Sequence, residues 1–214
     1  MKVTALKAQP RNPNRVNVYL DGEFAFGLAK IEAIRLRLGQ DLDEAAVARI
    51  RQADDEAQAY ERALKLLSTR PRSEAEVRRK LREHKVVEAT IEAVMAHLRR
   101  AGLVDDNAFA NYWVENRATF RPRSQRLLKA ELKLKGVTGE ALDQAVAGTD
   151  DAVAAYALAE KRCRAAKLAV LPYPEFRRKL GDYLARRGFD FDVIEPILER
   201  LWKENRPGEP AARR

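Results

Sequence analysis

The sequence is poor in the residues on which disulfides and most metal sites depend. Among its 214 residues there is one cysteine, Cys163, and there are two histidines, His84 and His97. A single cysteine excludes an internal disulfide, and neither histidine has a second ligand at metal-binding spacing. We therefore expect a reducing, cytoplasmic compartment, no bound metal and no cofactor.

Long apolar runs and catalytic signatures are missing as well. No segment approaches the ~18 apolar residues of a membrane span, and the first 30 residues contain no long apolar run. Neither a Gly-x-x-x-x-Gly-Lys phosphate loop nor a Gly-x-Ser-x-Gly nucleophile elbow occurs. The acidic pairs Asp105-Asp106 and Asp150-Asp151 stand where helix N-termini carry acids. We predict a protein that has no membrane partner and is not an enzyme.

Positive charge, in contrast, is in excess. Lysine and arginine number 41 against 32 aspartates and glutamates, which gives a net charge of +9 and an isoelectric point near 9.8. Such a balance favours anionic partners. By itself it does not separate nucleic acid from an acidic protein or a phospholipid surface.

The most informative pattern is an internal repeat. Arg70-Pro71-Arg72-Ser73 recurs letter for letter as Arg121-Pro122-Arg123-Ser124, and Leu81 recurs as Leu132 at the same spacing. A period near 50 residues predicts a chain built by stacking one supersecondary unit. Arrays of this kind usually present an extended surface and seldom a single catalytic pocket.

Each repeat contains three segments with apolar residues at helical spacing. Ser73 and Glu76 form a capping box before the second helix of the first repeat, and Gly102 closes its third helix. The residues predicted to face the core are Tyr60, Leu64, Leu67, Val77, Leu81, Ile91, Val94, Met95 and Leu98 in the first repeat, Phe109, Trp113, Leu128, Leu132, Leu142 and Val146 in the second, and Tyr156, Ala159, Cys163, Phe176, Leu180, Tyr183, Leu184, Ile194, Ile197, Leu198 and Leu201 in the third.

The first 30 residues follow a different pattern. Apolar residues alternate on both sides of Asp21-Gly22, which predicts a β-hairpin. Residues 3–6 are a candidate third strand, residues 9–15 with two prolines are predicted to be a loop, and residues 44–51 a short helix. The predicted fold is mainly α: an elongated array of tandem three-helix repeats with a small N-terminal β-hairpin region. The predicted domains are 1–53 (hairpin and short helices), 54–105, 106–149 and 150–204 (three repeats), and 205–214 (disordered tail).

Charge alternates inside each repeat. The segment from Arg117 to Lys135 holds seven basic residues and one acid, Glu131, whereas residues 188–199 hold four acids and no base. Second helices are thus basic and third helices acidic. If the repeats stack in register, the basic helices would form a stripe suited to a phosphate backbone or an acidic groove. Alternatively, these cations simply solvate the outward faces of the helices, and the sequence leaves both interpretations open.

The repeated Arg-Pro-Arg-Ser segment has a structural interpretation that needs no ligand. Proline ends the incoming helix and serine caps the next one. The flanking arginines are not required for that geometry, and guanidinium groups bind carboxylate or phosphate in bidentate fashion. The predicted partner- or DNA-contacting residues are Arg70, Arg72, Arg78, Arg79, Arg121, Arg123, Arg126, Lys129, Lys133, Arg177, Arg178 and Lys179.

Taken together, these motifs resemble the family of the regulatory protein RecX. The segments that carry the resemblance are residues 70–81 (RPRSEAEVRRKL), 98–110 (LRRAGLVDDNAFA), 121–124 (RPRS) and 132–137 (LKLKGV). The similarity extends from about Asp54 to Trp202, and the Asp-Gly hairpin resembles an N-terminal extension that some members carry. The third repeat departs most from the family pattern, because Pro172-Tyr-Pro-Glu-Phe stands in place of the Arg-Pro-Arg-Ser corner.

The resemblance implies a non-enzymatic modulator of the RecA recombinase. Such proteins lie in the groove of the RecA filament on single-stranded DNA and restrain filament growth, ATP hydrolysis and strand exchange. We accordingly expect the RecA filament and single-stranded DNA, reached directly or through RecA, as partners of a monomeric chain. The rival hypothesis is a general basic nucleic-acid-binding helical protein without a recombinase partner.

Overall fold

A computed structural model describes residues 1–205 as a mainly helical protein with one small sheet. The strands are β1 (Val3–Gln9), β2 (Asn12–Leu20) and β3 (Glu23–Ala29). The helices are α1 (Lys30–Ala33), α2 (Glu44–Leu67), α3 (Glu74–Glu83), α4 (Glu88–Arg100), α5 (Asp106–Phe120), α6 (Gln125–Leu134), α7 (Glu140–Ala147), α8 (Asp151–Ala165), α9 (Tyr173–Ala185) and α10 (Phe191–Asn205). A 3₁₀ turn, Leu168–Val170, lies between α8 and α9. The predicted mainly α fold class is confirmed. The predicted tail lies outside the described residues, apart from Asn205 at the end of α10.

The N-terminal strands form an antiparallel sheet in the order β1-β2-β3. Asp21 (φ 50°) and Gly22 (φ 92°) both adopt positive φ, as a two-residue type I′ hairpin turn requires. The predicted hairpin and its third strand are therefore confirmed. The prediction of a loop over residues 9–15 is wrong, because β2 begins at Asn12. Pro13 is tolerated there because the pairing of β2 with β3 begins only at Arg15 and Ala29.

Helix α2 is longer than the sequence pattern indicates. The predicted short helix over residues 44–51 is wrong as a separate element, since one helix of 24 residues runs from Glu44 to Leu67. No glycine or proline interrupts that stretch. Asp54 lies inside the helix, 3% exposed, and accepts hydrogen bonds from the Arg15 guanidinium (2.7 Å) and the Ala29 N–H (3.0 Å) of the sheet. The predicted domain limit at 53/54 therefore falls within α2, and the division into domains stays a prediction.

Two compact units make up the described chain, and the first comprises Met1–Arg70 and Val77–Leu103. One face of the sheet buries Val3, Val18 and Leu28 in its core. Helix α4 buries Ile91, Val94, Met95 and Leu98, as the periodicity predicts. In α2, however, the predicted core residue Leu64 is 37% exposed. Ala59 and Ala63, which directly precede the predicted core residues Tyr60 and Leu64, are buried instead.

The second unit comprises Pro71–Glu76 and the chain from Val104 onward. It contains two three-helix sets, which we call repeat 2 (α5–α7) and repeat 3 (α8–α10). The core of repeat 2 includes Phe109, Leu128, Leu132, Leu142 and Val146. The core of repeat 3 includes the predicted residues Ala159, Cys163, Phe176, Leu180, Leu184, Ile194, Ile197, Leu198 and Leu201, joined by Trp202. Trp113, Tyr156 and Tyr183 are only partly buried at the edges of these cores.

Candidate partner-binding surface

The first Arg-Pro-Arg-Ser corner packs against the end of α6. Ser73 Oγ accepts a hydrogen bond from the Glu76 N–H (3.2 Å), which caps α3. The same hydroxyl donates to the Lys135 carbonyl oxygen at 2.6 Å. The neighbouring Gly136 adopts φ 81°, and a Cβ there would overlap the Cβ of Ala75. The corner is thus a cap and a docking contact at once.

The second corner packs in a related way against the end of α9, although a backbone N–H here takes the part of the Ser73 hydroxyl. Ser124 Oγ accepts from the Leu127 N–H at 3.3 Å and caps α6. The Ser124 N–H donates to the Arg187 carbonyl oxygen at 3.1 Å. Gly188, with φ 90°, follows Arg187, and a Cβ there would lie 2.6 Å from Ser124 Oγ. The related geometry explains why a serine and a glycine both recur after about 50 residues in the sequence.

The two Asp-Asp pairs serve the same junctions. Asp105 and Asp150 accept from backbone N–H groups at the start of their own helices, α5 and α8. Asp106 instead accepts from the Glu74 N–H at 2.9 Å, and Asp151 from the Gln125 N–H at 2.7 Å. The first aspartate of each pair therefore caps its own helix, while the second caps α3 or α6. Burial raises the pKa of the Asp151 carboxyl above its ordinary value.

The arginines of the two corners differ in their surroundings. Arg121 is exposed at the C-cap of α5, whereas Arg70, Arg72 and Arg123 are half-buried. Arg123 Nε lies 2.8 Å from Glu131 Oε1. Of these four predicted contact residues, Arg121 is the one whose side chain is exposed.

Glu131 is the centre of a small charged cluster in repeat 2. Its other carboxylate oxygen, Oε2, accepts from Arg117 Nε at 2.7 Å and from Trp113 Nε1 at 2.9 Å. The Arg117 guanidinium also covers the Trp113 ring, 4.3 Å from its centroid. The single acid of the basic segment therefore neutralises two of its arginines from inside the fold.

Ion pairs between second and third helices account for much of the alternating charge. In the first compact unit, Arg78 makes a bidentate pair with Glu92, and the hydrogen bond holds the pKa of Glu92 below its usual range. In repeat 2, Lys129 Nζ lies 3.0 Å from Asp143 Oδ1.

Repeat 3 pairs Arg177 with Glu195 in the same way. At least one basic residue of the second helix thus meets an acid of the third in each three-helix set. Such exposed pairs contribute little stability individually, but they occupy three of the predicted contact residues.

The remaining predicted cations differ in whether they form ion pairs. Arg126 donates to the Gly188 carbonyl oxygen at 3.2 Å, and its Nε lies 3.6 Å from Asp190 Oδ1. Lys179 Nζ lies 3.8 Å from Glu175 on its own helix. Within residues 1–205, the exposed predicted cations that form no ion pair are Arg79, Arg121, Lys133 and Arg178.

Helix α6 presents three of the predicted cations together. Arg126, Lys129 and Lys133 stand three and four residues apart, which places them on one side of the helix. Leu128 and Leu132 occupy the buried side. This face of α6, together with Arg121 just before the helix, is the part of the predicted surface that repeat 2 assembles.

Two arginines of repeat 3 that are absent from the predicted set share one aromatic neighbour. The guanidinium groups of Arg162 and Arg187 both lie over the ring of Tyr183. Charge counting along the sequence does not single them out, because they stand on different helices or helix ends. Aligning the repeats on their Asp-Asp and glycine positions would have marked them.

Groups with catalytic or metal-binding potential are scarce in the described part of the chain. Cys163 is buried, and burial raises the pKa of its thiol, which makes it a poor nucleophile. Among residues 1–205, no three His, Cys, Asp or Glu side chains are grouped to hold a metal ion. None of the helices in that range combines the length and apolar character that a bilayer crossing requires.

Comparison with known proteins shows similarity to one family along nearly the whole chain. The models that match are the regulatory protein RecX N-terminal domain (residues 1–43) and the first, second and third RecX three-helix domains (residues 59–98, 105–146 and 149–198). Regulatory protein RecX of Bacillus licheniformis is 33% identical over 96% of this chain and 80% of its own length. That of Levilactobacillus brevis is 35% identical over 93% and 76%.

Solved structures give the same result. A crystal structure of regulatory protein RecX superposes with a TM-score of 0.66 at 32% identity, covering 92% of this chain and 98% of that one. The crystal structure of RecX from Lactobacillus salivarius gives a TM-score of 0.60 at 26% identity, covering 70% and 97%.

Proposed function

This chain belongs to the RecX family, and we propose that it binds a RecA filament assembled on single-stranded DNA and restrains filament growth, ATP hydrolysis and strand exchange. The observation that carries the proposal is the match of all four RecX domain models, in chain order, over residues 1–198. Since RecA filaments form in the cytoplasm, the proposal also places this chain there, acting as a monomer.

The surface chemistry supports action by binding and not by catalysis. Lys133 and Arg178 are exposed on second helices and form no ion pair within residues 1–205, and Arg121 is exposed at a corner. Arginine and lysine side chains of this kind can bind the carboxylates of a filament protomer or the phosphates of its DNA. A chain that contacts two successive protomers would oppose the conformational cycling that accompanies hydrolysis and growth.

The proposal is tested by the DNA-dependent ATPase activity of RecA on single-stranded DNA. We expect the full chain to lower the steady-state hydrolysis rate in a concentration-dependent way. The double variant Arg121→Gln/Lys133→Gln should need about tenfold more protein for half-inhibition, because it removes two unpaired cations of repeat 2.

The matched control is Arg164→Gln/Arg200→Gln. It removes the same charge, but each arginine is ion-paired on its own helix, with Glu160 (2.6 Å) and Glu204 (2.7 Å). We expect its half-inhibition to stay close to that of the unsubstituted chain. An unchanged hydrolysis rate at saturating protein would overturn the proposal.

The second candidate, a general nucleic-acid-binding protein, is favoured by the net charge of +9. In that case binding would be equally tight on bare and RecA-coated single strands, and it would fall steeply with salt because counterion release dominates. Preference for the coated strand supports filament regulation, and equal affinity supports the rival.

A further inference from the structure

Repeats 2 and 3 can be aligned position by position by their junction residues. Asp106 and Asp151 play the same part, since each accepts from the first N–H of the preceding second helix. Gly136 and Gly188 likewise share a positive φ and a docked corner. Counted from these markers, Arg162 is equivalent to Arg117, Tyr183 to Glu131, and Arg187 to Lys135.

In repeat 2, both cations of this set have a carboxylate partner. Arg117 Nε lies 2.7 Å from Glu131 Oε2. Lys135 Nζ lies 2.8 Å from Glu76 Oε1, a carboxylate on α3 that is 4% exposed. Positive charge at these two positions is therefore neutralised within the fold.

In repeat 3, both carboxylates are replaced by uncharged residues. Tyr183 stands where repeat 2 has Glu131, and Leu127, the third residue of α6, stands where α3 has Glu76. The guanidinium carbons of Arg162 and Arg187 lie 5.2 and 5.0 Å from the centroid of the Tyr183 ring. Within the described residues, neither arginine has a carboxylate within ion-pair distance.

Two guanidinium groups without a counter-ion thus lie over one ring, and an anion that contacts both would relieve their mutual repulsion. Arg162 is exposed and Arg187 half-exposed, so the N–H groups are accessible from solvent. Lys161 and Arg186, the exposed neighbours in sequence, make the local potential more positive. The arrangement favours a ligand that carries several negative charges.

We propose that Arg162, Tyr183 and Arg187 form a binding site for the phosphodiester backbone of single-stranded nucleic acid. Guanidinium groups bind phosphate oxygens in bidentate fashion. A single strand suits the site because its flexible backbone can bring a phosphate to both arginines, while an unstacked base can lie on a guanidinium plane. The site deepens the proposed function by giving the chain its own nucleic-acid contact, for which no recombinase is needed.

The test is binding of a fluorescently labelled oligothymidylate to the full-length chain, followed by anisotropy over a series of salt concentrations and without any recombinase. The variant Arg162→Gln/Arg187→Gln should bind about tenfold more weakly, and the slope of log K against log salt should fall by about 1.4, or about 0.7 for each phosphate that is no longer neutralised. The control Arg164→Gln/Arg200→Gln removes the same net charge from repeat 3, and we expect its affinity to fall by less than about threefold. Circular dichroism verifies that both variants are folded.

A second variant tests the geometry directly. Tyr183→Glu should weaken binding as strongly as the double substitution, because a carboxylate at this position would occupy Arg162 as Glu131 occupies Arg117. Unchanged affinity in Arg162→Gln/Arg187→Gln, or an equal decrease in both double variants, would overturn the proposal. Because RecA is absent from this assay, its failure leaves filament regulation untouched. If the chain bound the oligonucleotide as expected but did not inhibit the ATPase activity of RecA, only the proposed filament regulation would be rejected.

Discussion

Replacing Gly136 by alanine should destabilise the chain more than the same change at another helix-terminating glycine. An L-residue with the φ of 81° found here costs about 1–2 kcal/mol. In addition, the new Cβ would overlap the Cβ of Ala75, well inside the ~3.5 Å at which carbon atoms touch. Overpacking of this kind costs about 1–3 kcal/mol. We therefore expect Gly136→Ala to lower the free energy of unfolding by about 2–5 kcal/mol.

The control is Gly102→Ala. Gly102 ends α4 with φ 65°, but a Cβ there would meet nothing within 4 Å. Only the backbone cost of about 1–2 kcal/mol should apply to it. Urea unfolding followed by far-ultraviolet circular dichroism measures both changes.

A double-mutant cycle separates the overlap from the backbone strain. With Ala75→Gly, the nearest atom to the new Cβ would be the Cα of residue 75 at 3.7 Å, an ordinary contact. Ala75→Gly alone costs about 0.5–1 kcal/mol of helix propensity. The pair should show a favourable coupling energy of about 1–3 kcal/mol. Equal costs at Gly136 and Gly102, or a cycle additive within about 0.5 kcal/mol, would refute the reasoning about the junction.

Three further predictions concern single side chains. Asp151→Ala should cost about 1 kcal/mol in urea unfolding, because the Gln125 N–H loses its cap. Asp151→Asn keeps an acceptor and removes a carboxyl whose folded-state pKa is raised by burial. Since such a group makes stability fall as pH rises from its unfolded to its folded pKa, the asparagine variant should lack that decline and be at least as stable at pH 7. The Cys163 thiol should resist alkylation in the native protein and react at the rate of a free thiol in denaturing urea; fast native reaction would contradict its burial. Glu131→Gln should cost about 1–3 kcal/mol, because Arg117 and Arg123 lose their carboxylate, whereas the exposed Glu140→Gln should change stability by no more than about 0.5 kcal/mol.

Local sequence patterns predict most of the secondary structure. They fail where a contact between residues distant in sequence determines which residues are buried. Apolar spacing identified the helices of repeats 2 and 3, and Asp21-Gly22 identified the hairpin. Asp54, in contrast, looks like the start of a new helix in sequence. In the fold its carboxylate accepts from Arg15 and from the Ala29 N–H, 39 and 25 residues away. The absence of glycine and proline from residues 44–67 is compatible with one helix, but the burial of Asp54 inside it depends on partners that no window of neighbouring residues contains.

The repeated corners show a second kind of limit. The capping role of Ser73 can be predicted from the residues that follow it. Its hydrogen bond to Lys135 cannot, because donor and acceptor are 62 residues apart. The period of the repeat nevertheless indicates that the serine corner and the glycine-containing helix end belong to one repeated structural unit, which neither motif indicates alone. The serines recur after 51 residues and the glycines after 52, and each serine contacts the carbonyl oxygen just before its glycine, Ser73 through its hydroxyl and Ser124 through its N–H.

Charge counting alone could not separate partner-binding cations from structural ones. Lys129 and Lys133 are one helical turn apart on α6, and the sequence gives no reason to prefer either. In the fold, Lys129 pairs with Asp143 on α7, and within residues 1–205 Lys133 forms no ion pair. A basic helix that faces an acidic helix of its own repeat is therefore weak evidence for an anionic partner.

Cations whose usual acid has been replaced are stronger evidence. Lys135 and Arg187 hold the same position in successive repeats, but only Lys135 has a glutamate to neutralise it. In repeat 3, Leu127 stands at the position of Glu76, so no carboxylate on α6 neutralises Arg187. Between one repeat and the next, the difference in pairing therefore marks Arg187, at the end of α9, as a stronger candidate for an anionic partner than the ion-paired cations of the second helices.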